Sequence, residues 1–291
     1  LTPARTVPAV IRDCGEKGIR HAAILSAGFV ELGAERLALQ EELVEVANRY
    51  GVRFIGPNCF GIICPESGLV VPFALLRPQI MRPGSFSILS QSGTYCLTAG
   101  YSATLAGVGL AKAVSLGNKL NIDEVDLLPY LMDEDDRTQT IGLYLEGMNR
   151  GREFIELARR SPKPLVMLKA NISEEIGSAA KSHTGSLASD DRVVDGACRQ
   201  AGIVRIKENR HFATAAKALN LPLLRGDSLG IAVGGGGAAV TASDWCFRYG
   251  FKLPPLPAGL RDALRRRARA SIINYGNPLD LVAYERKEDD D

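Results

Sequence analysis

Of the three histidines in this chain, His183 lies in a stretch made almost wholly of small and hydroxyl-bearing residues. The stretch is SAAKSHTGSLAS, Ser178–Ser189, whereas His21 and His211 have ordinary surroundings and receive no role. A neutral imidazole becomes a nucleophile when an acceptor fixes its second nitrogen. The surrounding run of about twenty residues has no helical or strand period, and loops of that length are usually functional or disordered. Two interpretations stay open, a nucleophile on a mobile loop and a solvated or capping histidine.

A short turn of small and hydroxyl-bearing residues follows an apolar strand in SILSQSGT. It comprises Ser90, Gln91, Ser92 and Gly93, and a helical pattern begins directly after it. A helix N-terminus presents unpaired backbone N–H groups and the positive end of the helix dipole, which together bind anions such as phosphate. Either serine is equally suited to be a plain N-cap. On this segment alone, both the phosphate site and the cap remain possible.

Four consecutive glycines form a second turn of this kind, between the strand GIAV and another helical pattern. They are Gly234, Gly235, Gly236 and Gly237. A tight turn needs one or two glycines, and each additional one costs chain entropy on folding. The run therefore indicates close approach of a ligand such as phosphate to the backbone. It is neither a P-loop nor a GxGxxG motif, because no Gly-Lys-Ser/Thr follows.

A carboxylate ends the buried strand LYLEG, at Glu146. In open α/β sheets, ligands bind at the carboxyl ends of the strands. Such a carboxylate is usually a solvated loop residue. It gains a role when it has to orient an imidazole.

Short apolar strands alternate with amphipathic helices along the chain, and this alternation positions the motifs above. The predicted strands are IRHAAILSA, RFIGPN, SFSILS, GLAKAVSLG, TIGLYLEG and PLVMLKA. The predicted helices are ERLALQEELVEVANRYG, TYCLTAGYSATLAG, DEVDLLPYLMD and REFIELARRS. Strands that alternate with helices predict parallel sheets with right-handed crossovers, hence a doubly wound α/β fold. Proline-rich and glycine-rich breaks at PFALLRPQIMRPGS and LPLLRGDS predict domains at 1–77, 78–225 and 226–291.

The composition is that of an ordinary soluble globular protein. The chain has 291 residues, 46% of them hydrophobic and 23% charged. Its formal net charge of +2 does not favour nucleic acid or an anionic membrane as a partner. Six scattered cysteines without a CxxC pair predict reduced thiols in a cytoplasmic protein, and no apolar run reaches the roughly 18 residues of a membrane span. The first residue is not Met and the last few are KEDDD, so we expect a fragment or a processed chain.

Six motifs in order resemble the NDP-forming acyl-CoA synthetases, that is, the ADP-forming acetyl-CoA synthetase α subunits and the related succinyl-CoA synthetase α subunit. The motifs are ILSAGFVE, GPNCFGI, ILSQSGT, IGLYLEGM, KSHTGSLAS and NPLDL, and together they span nearly the whole chain. The resemblance implies a partial Rossmann-like CoA-binding domain, a flavodoxin-like domain of the succinyl-CoA synthetase type, and the beginning of a third α/β domain of flavodoxin-like type.

The resemblance also implies a role for each motif. His183 corresponds to the histidine that is transiently phosphorylated, and Glu146 to the glutamate that holds its imidazole. The turns Ser90–Gly93 and Gly234–Gly237 correspond to two helix N-termini that bind the phosphoryl group. The residues that correspond to the CoA side of the first domain are Leu25, Ser26, Ala27, Gly28, Gly56, Pro57 and Asn58.

The implied reaction converts acyl-CoA, phosphate and a nucleoside diphosphate to a carboxylic acid, CoA and a nucleoside triphosphate, through an acyl phosphate and a phosphohistidine. The cofactors are CoA and ATP or ADP with Mg²⁺, and the chain itself has no predicted metal site. No ATP-grasp domain is visible, so the nucleotide is expected on an ATP-grasp β subunit or fused domain, within an oligomer. The glycine-rich turn that opens the family's CoA-binding domain is also missing. Where succinyl-CoA synthetases have a tyrosine that touches the acyl group, this chain has Leu97, which favours a less polar acid.

Two other functions are compatible with parts of this pattern. One is a CoA-binding or metabolite-binding regulatory module of a protein acyltransferase fusion, without ligase activity. An intact SHTGSLAS argues against it, because a binding module does not need the histidine. The other is a nucleotide-binding or flavin-binding doubly wound protein, which leaves the order of the six motifs unexplained.

Overall fold

The fold of the chain is known from a computed structural model. It describes residues 2–71, 81–172, 190–222, 224–267 and 275–281. The chain divides into two compact units, Leu1–Leu221 and Pro222–Asp291. In the described ranges no helix is both long and apolar enough to cross a membrane.

The first unit begins with a small parallel sheet covered by two helices. Its elements are α1 (Val7–Glu16), β1 (His21–Ala23), α2 (Leu37–Tyr50) and β2 (Arg53–Ile55). β1 pairs with β2 in parallel, and α2 ends at Gly51, which adopts the left-handed conformation that stops a helix. Apolar side chains from both helices and both strands form one core. The predicted first strand is shorter than expected, because only three of its residues pair with β2.

A seven-stranded sheet forms the centre of the first unit. Its strands are β3 (Ile62–Cys64), β4 (Leu69–Val70), β5 (Pro83–Ser90), β6 (Leu110–Ser115), β7 (Thr140–Leu145), β8 (Leu165–Lys169) and β9 (Val204–Ile206). The order across the sheet is β4-β3-β6-β5-β7-β8-β9. The strands from β6 to β9 in this order are parallel, whereas β3 pairs antiparallel with both β4 and β6. The prediction of a parallel α/β fold is therefore confirmed for most of the sheet. The antiparallel strands β3 and β4 at its edge were not predicted from the sequence.

Helices cover both faces of this sheet. They are α3 (Gly93–Leu105), α4 (Glu124–Pro129), α5 (Gly151–Arg160), α6 (Asp191–Ala201) and α7 (His211–Leu219). α3 and α7 pack on one face in a core that includes Phe86 and Phe212. α4, α5 and α6 pack on the other face in a core that includes Leu128 and Phe154. Because both faces are covered, β7 and β8 are buried along their whole length and are mostly apolar, with Lys169 at the end of β8 as a charged exception.

The second unit has a two-stranded parallel sheet and two helices in its described part. Its elements are β10 (Ala232–Val233), α8 (Gly236–Arg248), α9 (Ala258–Arg267) and β11 (Leu279–Asp280). The side chain of Asn277 joins three loops, because it accepts a hydrogen bond from Ile231 N and donates to the carbonyls of Leu229 and Pro254.

The hairpin of β3 and β4 lies before residue 77, yet it belongs to the large sheet. The predicted boundaries at residues 77 and 225 remain predictions. The large sheet contains strands from both sides of the predicted boundary at residue 77, because β3 and β4 lie before it and the remaining strands lie after it.

Candidate active site

The carboxyl ends of β5 and β7 mark the point where the chain connections of the large sheet diverge. β5 and β7 are adjacent and parallel, but the chain runs from β5 through α3 to β6 on one side and from β7 through α5 to β8 on the other. Loops that leave adjacent strands in opposite directions open a crevice, and ligands of open α/β sheets bind there. Ser90 pairs with Tyr144 at this end. The Ser90–Gly93 turn and Glu146 therefore emerge at the same edge.

The turn after β5 caps α3. Ser92 is the N-cap, and its hydroxyl oxygen accepts a hydrogen bond from Tyr95 N at 3.4 Å. The hydroxyl of Ser90 is buried and donates to Ser92 O at 2.6 Å. The cap interpretation of Ser92 is thus confirmed. It does not compete with anion binding, because capping satisfies only part of the N–H groups at a helix start.

Gln91 connects this turn to the end of β7. Its side-chain oxygen accepts hydrogen bonds from Glu146 N at 2.6 Å and from Gly147 N at 2.9 Å, while Gln91 N donates to Tyr144 O. The sequence placed Gln91 in a phosphate-binding turn without a separate role. Its side chain is directed instead towards Glu146 and Gly147, the two residues just after β7, called the Glu146 corner below.

The phenol of Tyr144 lies beside Glu146 and is stacked on a second aromatic ring. Tyr144 and Tyr95 stack with their ring centroids 4.2 Å apart. Burial raises the pKa of the Tyr144 phenol, and the negative charge of nearby Glu146 raises it further. The Tyr144 hydroxyl therefore stays protonated as a hydrogen-bond donor next to the Glu146 carboxylate.

Two buried lysines also contact the Glu146 corner, and neither was predicted as a site residue from the sequence. Lys119 Nζ donates to Gly147 O at 2.6 Å and forms an ion pair with Glu124 at 2.9 Å. Lys169 Nζ donates to Glu146 O at 2.8 Å. Both lysines lie at or just after the carboxyl ends of strands, so the strand-end rule that singled out Glu146 applies to them as well.

The loops assigned to the CoA side lie at the carboxyl edge of the small sheet. Asn58 N donates to Ser26 O at 2.9 Å, so the loop after β2 is joined to the loop after β1. Gly28 N donates to a carboxylate oxygen of Glu31 at 2.6 Å, and Asn118 Nδ2 donates to the other at 2.7 Å. Burial alone would raise the pKa of Glu31, but these hydrogen bonds outweigh it and lower that pKa. Of the predicted residues, those that are buried are Ser26, Gly28, Gly56 and Pro57, whereas Ala27 is exposed and Leu25 and Asn58 are half-buried.

Phe60, two residues after the predicted CoA-side loop Gly56–Asn58, lies against the turn after β5. A Cβ atom on Gly93 would stand 2.8 Å from Phe60 Cβ, which leaves no room for a side chain. Phe60 N in turn donates to the Ser115 hydroxyl at the end of β6. The predicted CoA-side loop Gly56–Asn58, which leads into Phe60, and the predicted phosphate turn are thereby brought together in one region.

His183 lies outside the described residues, as does the whole of Ser178–Ser189. The described chain on either side of the segment ends at this edge of the sheet. β8 ends at Lys169, and α6 begins at Asp191, whose carboxylate and carbonyl are both bound by Arg205 of β9. The role of His183 stays a prediction.

The four glycines of the second unit join β10 to α8. Gly235 is the N-cap of α8, and Gly234, Gly236 and Gly237 are exposed. A Cβ atom on Gly234 or Gly237 would meet no atom within 4 Å, whereas one on Gly236 would lie 3.5 Å from the Asp280 carboxylate. The turn is open enough for a ligand to approach. Its phosphate role also stays a prediction.

Across the described ranges, no group of three or more His, Cys, Asp or Glu side chains is placed to hold a metal ion.

Two family models match the chain. Residues 83–219 match the succinyl-CoA ligase-like flavodoxin domain, and residues 1–65 match the CoA-binding domain. The first match contains the Ser90–Gly93 turn and Glu146, and the second contains both CoA-side loops.

Curated relatives and solved structures agree with these matches. The α subunit of ADP-forming acetate–CoA ligase I from Pyrococcus furiosus is 40% identical over 285 residues, which are 97% of this chain and 60% of that protein. ADP-forming acetate–CoA ligase I from Archaeoglobus fulgidus is 38% identical over 284 residues, 97% of this chain and 41% of that protein. A dinucleotide forming acetyl-coenzyme A synthetase 1 from Ca. Korarchaeum cryptofilum, solved with phosphate and ADP, matches with a TM-score of 0.80 at 34% identity, over 96% of this chain and 60% of that chain. The chain thus spans 60% or less of the length of these three relatives.

Proposed function

Since this chain belongs to the NDP-forming acyl-CoA synthetase family, we propose that it is the α-type part of an acid–thiol ligase. The reaction converts acyl-CoA, phosphate and a nucleoside diphosphate to the carboxylic acid, CoA and a nucleoside triphosphate. The observation that carries the proposal is the meeting of the Ser90–Gly93 turn with the Glu146 corner, through two hydrogen bonds to Gln91 of 2.6 and 2.9 Å. A phosphate-binding helix N-terminus and an imidazole-orienting carboxylate need to be neighbours in this reaction.

The reaction passes through an acyl phosphate and a phosphohistidine. Phosphate attacks the thioester carbonyl, and CoA leaves as the thiol. A neutral nitrogen of His183 then attacks phosphorus, the P–O bond to the acyl group breaks, and the carboxylate leaves. The nucleoside diphosphate finally takes the phosphoryl group from His183, which returns to neutral imidazole.

The residues of this chain serve these steps electrostatically. The N-terminus of α3 at Gly93 stabilises the charge of the phosphoryl oxygens. Glu146 accepts a hydrogen bond from the imidazole nitrogen that does not attack, which fixes the tautomer and stabilises the cation that forms. The loops Leu25–Gly28 and Gly56–Asn58 bind CoA. The turn Gly234–Gly237 is a second binding site for the phosphoryl group.

The nucleotide, with Mg²⁺, binds to an ATP-grasp subunit or fused domain rather than to the described residues of this chain. The Pyrococcus furiosus relative is named as an α subunit, which supports a partner subunit. Leu97 lies on α3 and packs against the core, and an apolar residue at this position favours a small acid less polar than succinate.

Labelling of the histidine tests the proposal. We expect radiolabelled ATP, Mg²⁺ and the ATP-grasp subunit of an archaeal relative to label this chain in an acid-labile, base-stable form. His183→Ala should abolish the label, and His211→Ala is the matched control that should keep it. If His183→Ala is labelled as well as the parent, the phosphohistidine is wrong.

The orienting role has its own test. Glu146→Gln should slow labelling by about ten-fold or more, because the amide cannot stabilise the imidazolium as a carboxylate does. Glu153→Gln on α5, an exposed carboxylate paired with Arg150, is the control and should label at the parent rate. Equal rates for Glu146→Gln and the parent would remove the orienting role.

A further inference from the structure

The backbone of the Glu146 corner is held by side chains rather than by regular secondary structure. Both of its N–H groups donate to Gln91, the carbonyl of Glu146 accepts from Lys169, and the carbonyl of Gly147 accepts from Lys119. All four backbone polar groups of the corner thus have side-chain partners. These partners come from the ends of β5 and β8 and from the loop after β6.

Placing two ammonium groups here is costly. The side chain of Lys119 is 4% exposed, and that of its partner Glu124 is 1% exposed. Lys169 is also 4% exposed, and burial lowers its pKa to about 8. Buried ion pairs such as Lys119–Glu124 contribute little to stability, and apolar residues of similar volume often replace them without loss. Burying an ammonium group that donates only to neutral carbonyls costs free energy as well. The two lysines therefore require an explanation other than stability.

We propose that Lys119 and Lys169 are positioning residues that fix the backbone of the Glu146 corner and thereby aim the Glu146 carboxylate. The inference rests on the proposed function, because it assigns the two lysines a task only if Glu146 orients an imidazole. A charged donor binds a carbonyl more strongly than a neutral one. The two lysines donate to successive carbonyls of this corner, with Lys169 also donating to Ala170 O, and so restrict the orientation of its backbone.

Lys119 also connects the corner to the CoA side. Its neighbour Asn118 donates through its backbone N–H to Pro57 O and through its side chain to Glu31. Glu31 accepts from Gly28 N. A continuous path of hydrogen bonds and adjacent residues therefore leads from the loop after β1 to Gly147. We expect a displacement of Lys119 to shift both the loop after β1 and the Glu146 corner.

The experiment compares labelling rates of His183 in complex with the ATP-grasp partner. The test variants are Lys169→Met and the double variant Lys119→Met/Glu124→Met, which leaves no unpaired charge and so protects folding. The control is Lys163→Met. Lys163 lies before the other end of β8 and also donates to two backbone carbonyls, those of Leu131 and Asp135, both at 2.7 Å.

Each test variant should slow labelling by about ten-fold, because small misplacements of a catalytic group cost that much or more. Each is then combined with Glu146→Gln. If the lysines act through Glu146, adding their substitution to Glu146→Gln should slow labelling little further. Lys163→Met should label at the parent rate, and thermal unfolding of every variant confirms that it is folded.

The outcomes separate the two proposals. If Glu146→Gln labels as fast as the parent, the orienting role in the proposed function fails. If Glu146→Gln is slow but the lysine variants label at the parent rate, the positioning role fails while the proposed function stands. If the lysine and Glu146 effects multiply, the lysines contribute only general structure and the inference is wrong.

Discussion

The buried ion pair of Lys119 and Glu124 allows a quantitative prediction about stability. Lys119→Met leaves the Glu124 carboxylate, 1% exposed, without its partner at 2.9 Å, and removes the donor to Gly147 O at 2.6 Å. Breaking a buried pair from one side costs about 3–5 kcal/mol, because a charge stays buried without compensation. We therefore expect the free energy of unfolding of the first unit to fall by about 4 kcal/mol at pH 7.

The same substitution should make stability depend on pH. Burial raises the pKa of Glu124 above 4.5, and attraction to Lys119 opposes that rise, so removing Lys119 raises the pKa further. Between the unfolded and the raised folded pKa, the folded state binds more protons than the unfolded state, and stability falls as pH rises. The deficit of Lys119→Met relative to the parent should accordingly shrink as the pH is lowered from about 7 towards about 5.

Urea unfolding followed by far-UV circular dichroism measures this deficit. Trp245, the single tryptophan, lies on α8, so its fluorescence follows the second unit separately. Lys119→Met/Glu124→Met should recover more than half of the loss, since it leaves no unpaired charge. Equal losses for the single and double variants, or a deficit that does not change with pH, would refute the reasoning.

Two further predictions concern local geometry. Gly117→Ala should destabilise the first unit by about 3 kcal/mol or more, since φ is +58° and the new Cβ would stand 2.1 Å from Pro57 O. Gly107→Ala, with φ +78° and no atom within 4 Å, should cost only about 1 kcal/mol, so equal losses in urea unfolding would contradict the clash. Ser92→Ala should lower the free energy of unfolding by about 1 kcal/mol, because it removes the acceptor of the Tyr95 N–H. Compared with the parent, amide exchange should become faster in the first turn of α3 but not in α5. Unchanged exchange in the first turn of α3 would mean that the cap contributes nothing.

Much of the fold could be predicted because its signals are local. The alternation of apolar strands and amphipathic helices reports which faces are buried, and α2, α3 and α5 lie where their periodicity predicts. The antiparallel hairpin of β3 and β4 could not be predicted, because it depends on pairing with β6, some fifty residues further along the chain. Two- and three-residue strands carry too little pattern to show their partners.

The candidate site divides in the same way. The turn Ser90–Gly93 and the carboxylate Glu146 were recognisable because each follows an apolar strand, and strand ends of one parallel sheet meet at one edge. The lysines were not recognisable. From the sequence alone, a lysine is expected to be a solvated cation. Only the packing around Lys119 and Lys169 removes their side chains from water.

The sequence by itself thus determined the α/β class, the strand-end turns and the motifs that resemble the ligase family, since these depend on neighbours within one turn or strand. Only the tertiary structure decided that Gln91 faces the Glu146 corner, that two buried ammonium groups hold its carbonyls, and that Phe60, just after the predicted CoA-side loop, packs against Gly93. Those contacts join residues from different strand ends. Strand order and register bring these residues together, and neither can be predicted from a single segment of the chain.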